Sequence, residues 1–155
     1  MFFTNGAVYA NWIARLPEVQ TRVGLSLGGV GILLSAAGVT GTVASIGVGN
    51  IVDRVGSRIV TISAGLVLVV LFPIIGTTTS AWVLGATLMA IALVDTFTDV
   101  GMNIQAAQVN AARSKPVINR IHGVWSIGTL AGGLLASALA EAGVALWVHL
   151  SSAAV

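Results

Sequence analysis

The chain has 155 residues, of which 56% are hydrophobic and only 8% are charged, and its formal net charge is +2 at pH 7. A soluble domain carries about a quarter charged residues, so this composition excludes an ordinary soluble fold. Three runs without a charged residue occur at residues 24–52, 59–94 and 121–140. Each is long enough to cross the bilayer core as a helix, which takes about 18–20 residues. The sequence therefore predicts an all-α membrane protein without a soluble domain.

Several functional classes are excluded by what the chain lacks. It has no cysteine, which rules out disulfides and thiolate metal sites. Its two histidines, His122 and His149, are far apart in the sequence and neither lies in an acidic cluster. The few basic residues are spread over short loops, whereas a nucleic-acid groove needs many of them on one face. We therefore expect no enzyme, no catalytic residues, no metal, no cofactor and no nucleic-acid partner.

The first predicted span covers residues 1–14. It ends ahead of Pro17, because the residue before a proline is disfavoured in the α region. At 1.5 Å per residue it reaches only about two-thirds of the way across the core, so we expect the span to be short or to be preceded by further residues. Residues 17–27 are predicted to form a small surface helix, with Glu18 and Arg22 as an i,i+4 ion pair.

The remaining spans follow in close succession. They are predicted at residues 28–52, 59–76, 82–103 and 121–140, and residues 145–155 would begin a sixth. Two spans carry a small residue at every fourth position, a pattern that lets membrane helices approach closely. These stripes are Ala37, Gly41, Ser45 and Gly49 in the second span, and Gly128, Gly132, Ala136 and Ala140 in the fifth.

The loop charges predict the orientation of the spans. The loops after the second and fourth spans contain Arg54, Arg58, Arg113, Lys115 and Arg120. The loops on the opposite side contain only Arg15 and Arg22. Because cytoplasmic loops are enriched in Lys and Arg, we expect the first group and the N-terminus to lie in the cytoplasm.

The loop between the second and third spans has the pattern G-x-x-x-D-R-x-G-x-R, formed by Gly49, Asp53, Arg54, Gly56 and Arg58. Gly49 would let the helix end pack against a neighbour, and Gly56 would permit a tight reversal. Asp53 can accept from N–H groups at a helix end, and the arginines can bridge to acids on adjacent helices. The alternative is an ordinary basic turn, and a dinucleotide-binding loop is excluded because no βαβ unit surrounds it.

This pattern resembles the loop signature of the major facilitator superfamily of transporters, at the position where that family carries it. The resemblance implies that the loop latches the cytoplasmic side of two transporter halves. Residues 99–103 and 122–128 also resemble the D-x-x-M-N and H-G-x-x-S-x-G stretches of a bacterial inner-membrane subgroup, which is distantly related to fucose permease-like sugar carriers. Residues 5–12 resemble the first span of that subgroup.

The fourth span contains Asp95, Asp99 and Asn103 on one helix face. A carboxylate at the centre of a membrane helix costs about 2.5–3.5 kcal/mol, so it should face the bundle interior or a cavity. Two carboxylates one turn apart repel each other when both are ionised, which suits a site that exchanges protons. We expect Asp95 to contact protons or substrate. Asp99, nearer the cytoplasmic edge, is expected to pair with Arg54 or Arg58.

The family resemblance implies that spans one and four line a central cavity. Asn5, Tyr9 and Trp12 form a stripe on span one that would suit a polar organic ligand, and Asp95 and Asn103 would complete this substrate-binding set. The alternative for Tyr9 and Trp12 is an interfacial aromatic belt. His122 is a candidate titrating switch, with a satisfied interfacial histidine as the alternative.

The resemblance as a whole implies the N-terminal half of a secondary transporter in the bacterial inner membrane, with five spans and the start of a sixth. Its expected partners are the lipid bilayer, a sugar or small metabolite, protons, and a C-terminal half without which it would not transport. Drug efflux is less favoured, because the sequence lacks the arginine in span four and the Gly-Pro pair in span five that drug-exporting relatives carry. The other alternative is a small self-assembling membrane protein.

Overall fold

A computed structural model describes residues 1–114 and 116–153, and its regular structure is entirely helical. The helices are α1 (Phe2–Ile13), α2 (Leu16–Val23), α3 (Leu27–Val55), α4 (Ser57–Thr77), α5 (Ala81–Ala111), α6 (Ile118–Glu141) and α7 (Leu146–Ala153). Helices α3 to α6 are long and apolar enough to cross a membrane. The predicted all-α membrane fold is confirmed.

The helix bounds match the predicted spans closely, with one exception. Helix α5 continues to Ala111 instead of ending at Asn103, because residues 104–111 are rich in Ala and Gln, which favour helices, and contain no helix breaker. The predicted surface helix over 17–27 is shorter, since α2 ends at Val23. Lys115 and residues 154–155, which belong to the predicted basic loop and sixth span, lie outside the described residues.

The short connections are made by residues that suit them. Gly24 ends α2 in the left-handed region, with φ of 69°, and the Ser26 hydroxyl caps α3 by accepting from the backbone N–H of Gly29 at 3.1 Å. Gly56 joins α3 to α4 with φ of 96°, a value that side chains other than glycine rarely adopt. The tight reversal predicted at Gly56 is therefore confirmed.

Some of the helix pairs in the bundle pack in a similar way. Helix α1 packs mainly on α6, α3 on α5, and α4 on both α5 and α7. The helices α1, α3 and α4 can be matched in order with α5, α6 and α7. Under this exchange the α1–α6 pair becomes the α5–α3 pair, and the α4–α7 pair is unchanged. The packing of α1 on α6 thus resembles that of α5 on α3, whereas the extensive packing of α4 on α5 has only a minor counterpart between α7 and α1.

The small-residue stripe of α6 is the closest helix contact. A methyl group on Gly128 would overlap the carbonyl oxygen of Phe3, and one on Gly132 would overlap that of Ala7. Further along α6, Ala136 is fully buried. The predicted close approach of this span to a neighbour is confirmed at Gly128 and Gly132, and the neighbour there is α1.

The stripe of α3 is engaged over only part of its length. Gly41 lies against α5, where its carbonyl accepts from the Thr96 hydroxyl at 3.3 Å. Ser45 is exposed, and a methyl group on Gly49 would meet no atom within 4 Å. The end of α3 does pack against α5, but through the buried side chains of Val48 and Val52. The expectation that Gly49 provides this contact is therefore wrong for the described residues.

Candidate functional site

Helices α1, α5 and α6 together line a partly open cavity of about 630 Å³. Its lining residues are Phe2, Asn5, Tyr9, Ala10, Ile13 and Ala14 on the α1 side, Asp95, Asp99 and Met102 on α5, and His122, Trp125, Thr129 and Gly133 on α6. The spacing of three and four within each set places it on one helix face. The cavity is in the size range of small-molecule sites, about 300–1,000 Å³.

A chain of hydrogen bonds crosses this cavity wall from α6 to α5. The indole Nε1–H of Trp125 donates to Asn5 Oδ1 at 2.9 Å. The Nδ2–H of Asn5 in turn donates to Asp95 Oδ1 at 2.8 Å. Because the indole can only donate, it fixes the orientation of the Asn5 amide. The three side chains, one from each helix, therefore present a defined set of polar atoms to the cavity.

Aromatic rings surround this polar chain. Tyr9 lines the same cavity as Asp95 and packs edge-to-face on Phe72, with ring centroids 5.7 Å apart. His122 packs edge-to-face on Phe2 at 5.5 Å. Such pairs fix the ring planes, so the wall combines held aromatic surfaces with hydrogen-bonding groups. The predicted residues Asn5, Tyr9, Asp95 and His122 thus lie at one cavity, and their roles there remain predictions.

Asp99 does not form the expected ion pair with Arg54 or Arg58. Within residues 1–114 and 116–153 the ion pairs involve other residues, and Asp99 Oδ1 instead accepts from Asn103 Nδ2 at 3.0 Å. The reason is the helix face. Gly101, about 200° around α5 from Asp99, packs against α4, so Asp99 points away from the arginines and lines the cavity.

Asn103 and Trp12 are not part of the cavity lining, and their contact with substrate stays a prediction. Among the described residues, Asn103 bonds within its own helix, donating to the carboxylate and the carbonyl of Asp99. Trp12 is 4% exposed and packs in the apolar core near Val19, so it is not a belt aromatic either. The cavity face of α1 continues from Tyr9 to Ile13 at the i,i+4 spacing, and this turns Trp12 towards the core.

The charged side chains of the loop signature lie on the surface. Asp53, Arg54 and Arg58 are exposed, and no hydrogen bond or ion pair of their side chains occurs among the residues that the structure describes. Asp53 does not cap α4, which begins without a side-chain cap. Within the described part of the chain, the predicted latch therefore has no hydrogen-bond or ion-pair partner, and its role stays a prediction.

Of the three residues in the hydrogen-bonded chain, Trp125 is the one that the sequence analysis did not predict. The sequence carries a signal for it, because His122, Trp125, Thr129 and Gly133 recur every three or four residues along the fifth span and so share a face. From the sequence, a packing role was predicted only for the small-residue stripe on the adjacent face of the same span. Because the small residues of α6 pack on α1, the adjacent face of α6 lines the cavity beside α1.

With this geometry, the molecule is a multi-pass α-helical membrane protein with a polar cavity wall. Its sequence is 29% identical over 150 residues to an uncharacterized MFS-type transporter of Yersinia pestis, a match that covers 97% of this chain and 38% of that protein. It is 24% identical over 139 residues to an uncharacterized transporter of Sinorhizobium fredii, covering 88% and 37% respectively. No protein-family model and no solved structure matches.

The chain thus spans less than two-fifths of the length of both relatives. Both are named as transporters, and one as a transporter of the major facilitator (MFS) type. The similarity and the helical fold together show a membrane protein that is similar to proteins named as transporters over part of their length.

Proposed function

We propose that this chain supplies one wall of a proton-coupled secondary transporter of the major facilitator type, which carries a sugar or another small polar metabolite. The observation that carries the proposal is the hydrogen-bonded chain Trp125–Asn5–Asp95, which links three helices along a cavity of about 630 Å³. Aromatic surfaces with a few fixed polar groups are typical of sites for small organic ligands. The similarity to proteins named as transporters supports the same function.

Asp95 is the residue proposed to couple protons to substrate. A carboxylate in a membrane span is costly and is usually functional. The Asn5 amide can donate to Asp95 whether the carboxyl group is ionised or protonated, since at least one oxygen accepts in either state. The site therefore keeps its geometry when the proton arrives or leaves, and only the bond that Asp95 offers to the ligand changes.

The polar groups on the open side of the cavity need to be covered by further protein. Asp99 is exposed and Trp125 is 37% exposed on the cavity side, although both are polar groups in membrane-spanning helices. Lipid is a poor solvent for such groups, so a second helical bundle is proposed to cover them. Transporters of this kind place the substrate between two bundles that rock about it, and the greater length of both relatives agrees with this arrangement.

The remaining details are proposed on the sequence pattern. The basic loops favour a cytoplasmic N-terminus, and both relatives are bacterial, which favours the bacterial cytoplasmic membrane. Within the superfamily, the 99–103 and 122–128 stretches favour the subgroup distantly similar to fucose permease-like carriers.

A chimera tests the function. This chain replaces the matching segment of the Yersinia pestis relative, and vesicles containing the chimera are screened with sugars and small metabolites while internal pH is followed. We expect at least one solute to move with protons, and Asp95→Asn to abolish proton movement in an otherwise folded chimera. The chain alone should bind that solute without transporting it.

Two results would contradict the proposal. One is proton-coupled flux that is unchanged by Asp95→Asn, and the other is transport by the isolated chain. A correctly inserted chimera that moves no solute, together with cross-linking of the isolated chain to itself, would favour the small self-assembling membrane protein instead.

A further inference from the structure

A second polar cluster lies at the other end of α1, outside the cavity. His149 of α7 is 1% exposed, Asn11 of α1 is 4% exposed, and Arg15, which follows α1, is 5% exposed. Glu18 of α2 and the carbonyl of Val144 complete the cluster. It joins the end of the first predicted span to the start of the sixth.

The hydrogen bonds fix the orientation of Asn11. Its Nδ2–H donates to the carbonyl of Ala7, one turn earlier, at 2.7 Å. The Asn11 Oδ1 atom therefore faces His149, whose Nε2 lies 2.6 Å away. An amide oxygen only accepts, so the Nε2 atom of His149 carries a proton.

Arg15 fixes the other ring nitrogen. Its Nη1 lies 3.4 Å from Nδ1 of His149, and a guanidinium group only donates. The Nδ1 atom must therefore accept and carries no proton. The geometry requires a neutral imidazole in the Nε2–H form, held between an amide and a guanidinium.

Arg15 itself is fully engaged. Its Nε and Nη2 atoms donate to Glu18, and Nη2 also donates to the carbonyl of Val144 at 2.9 Å. The Glu18 side chain is 40% exposed and also pairs with Arg22 at 3.7 Å. One carboxylate at the edge of the cluster thus balances the buried guanidinium.

Protonation of His149 would break this arrangement. A proton on Nδ1 would point at Arg15 and place two cations side by side in a buried site, which is costly without another anion. The elements packed on α7 offer little to offset it. Helix α6 contributes only the exposed Glu141 at this end, and α4 has Arg58 as its one charged residue, at its opposite end.

We propose that Asn11, Arg15, Glu18 and His149 form a proton-sensitive lock that holds the end of α1 against α7 while His149 is neutral and releases it when His149 is protonated. We call this cluster the α1–α7 lock. Ile13 and Ala14, which lie between Asn11 and Arg15 in the sequence, line the cavity. Release of the lock would therefore loosen the cavity wall at this end.

Helix α2 takes part in the lock through Glu18 and has a separate contact with α4. Arg22 donates to the carbonyl of Gly76 at the end of α4, a bond that does not involve His149. Acidification should therefore loosen α1 from α7 while α2 stays attached to α4. This regional effect distinguishes release of the lock from general acid unfolding, and it does not depend on which solute the protein carries.

Hydrogen–deuterium exchange of the full chain in lipid nanodiscs tests the proposal. Exchange is compared at pH 8 and pH 5, the range in which histidine usually titrates, after correction for intrinsic rates. We expect acid to speed exchange at residues 10–16 and 146–150 on the order of tenfold, and to leave the end of α4 unchanged. His149→Gln, whose amide can bond both Asn11 and Arg15, should remove the acid response.

The matched control is His122→Gln, which changes the other histidine and should leave the response intact. The proposal is overturned if the natural chain shows no acid response, if His149→Gln keeps it, or if His122→Gln abolishes it. If His149→Gln fails to fold, imidazole nitrogen NMR of the unaltered chain at pH 8 decides. The Nε2–H form of His149 is expected, and an Nδ1–H or doubly protonated ring would overturn the lock.

Discussion

Two asparagines six residues apart on α1 have opposite surroundings. Asn5 is half-buried at the cavity, where its amide connects Trp125 to Asp95. Asn11 is 4% exposed and connects the Ala7 carbonyl to His149 in a closed cluster. Six residues turn the helix by about 240° beyond one full turn, so the two amides face different neighbours.

The comparison shows that residue type alone does not separate a ligand site from a structural one. Both amides bridge two partners with good distances. The difference is that Asp95, the acceptor beyond Asn5, lines a cavity, whereas His149, the donor to Asn11, is enclosed. Changes at Asn5 should therefore act on ligands, and changes at Asn11 should act on stability.

The largest effect should come from a change that disturbs both clusters together. Gly132→Ala places a methyl group against the Ala7 carbonyl and pushes α1 away from α6, which should lower the free energy of unfolding by about 3 kcal/mol. Gly47→Ala is the control, because a methyl group there meets no atom within 4 Å and should stabilise the helix by about 0.5–1 kcal/mol. Reversible unfolding in mixed detergent measures both. Equal stability of the two variants would show that α1 is not held by this contact.

The two asparagines can be compared directly by the same substitution. Asn11→Leu leaves the buried His149 Nε2–H without its acceptor and should cost about 2 kcal/mol. Asn5→Leu affects a half-exposed group and should cost less than about 1 kcal/mol. Unfolding of both variants in one detergent provides the measurement. A larger loss for Asn5→Leu would reverse the assignment of the two clusters.

A smaller effect is expected at Trp125. Trp125→Phe keeps an aromatic surface and removes the indole N–H that orients Asn5. We expect ligand affinity in the proposed chimera to fall about fivefold, the loss of roughly one hydrogen bond, with stability nearly unchanged. Trp147→Phe, at a site 54% exposed and outside the cavity lining, is the control and should leave affinity unchanged. Equal affinities for both variants would remove Trp125 from the site.

The helices and their order could be predicted from the sequence because apolar length and loop charges are local properties. The cavity residues Asn5, Tyr9 and Asp95 were also accessible, because polar side chains in membrane spans are rare. Trp125 and the α1–α7 lock were not predicted. Their partners are more than a hundred residues away in the sequence, and such contacts depend on the rotation of each helix about its axis. The same uncertainty in rotation explains why the core position of Trp12 and the cavity position of Asp99 were not predicted.

The smallest effect should be seen at the exposed loop, and it tests the rotation of α5. Asp99 faces the cavity and Arg54 is exposed without a partner among the described residues, so Arg54→Ala should change stability of the chain by no more than about 0.5 kcal/mol. A double-mutant cycle with Asp99→Asn should give a coupling energy near zero, because independent sites add. Coupling of about 1 kcal/mol would instead show that the two residues meet in solution, as the sequence pattern suggested. Asp99 would then belong to the latch in at least one conformation, and the cavity wall would rest on Asp95 alone.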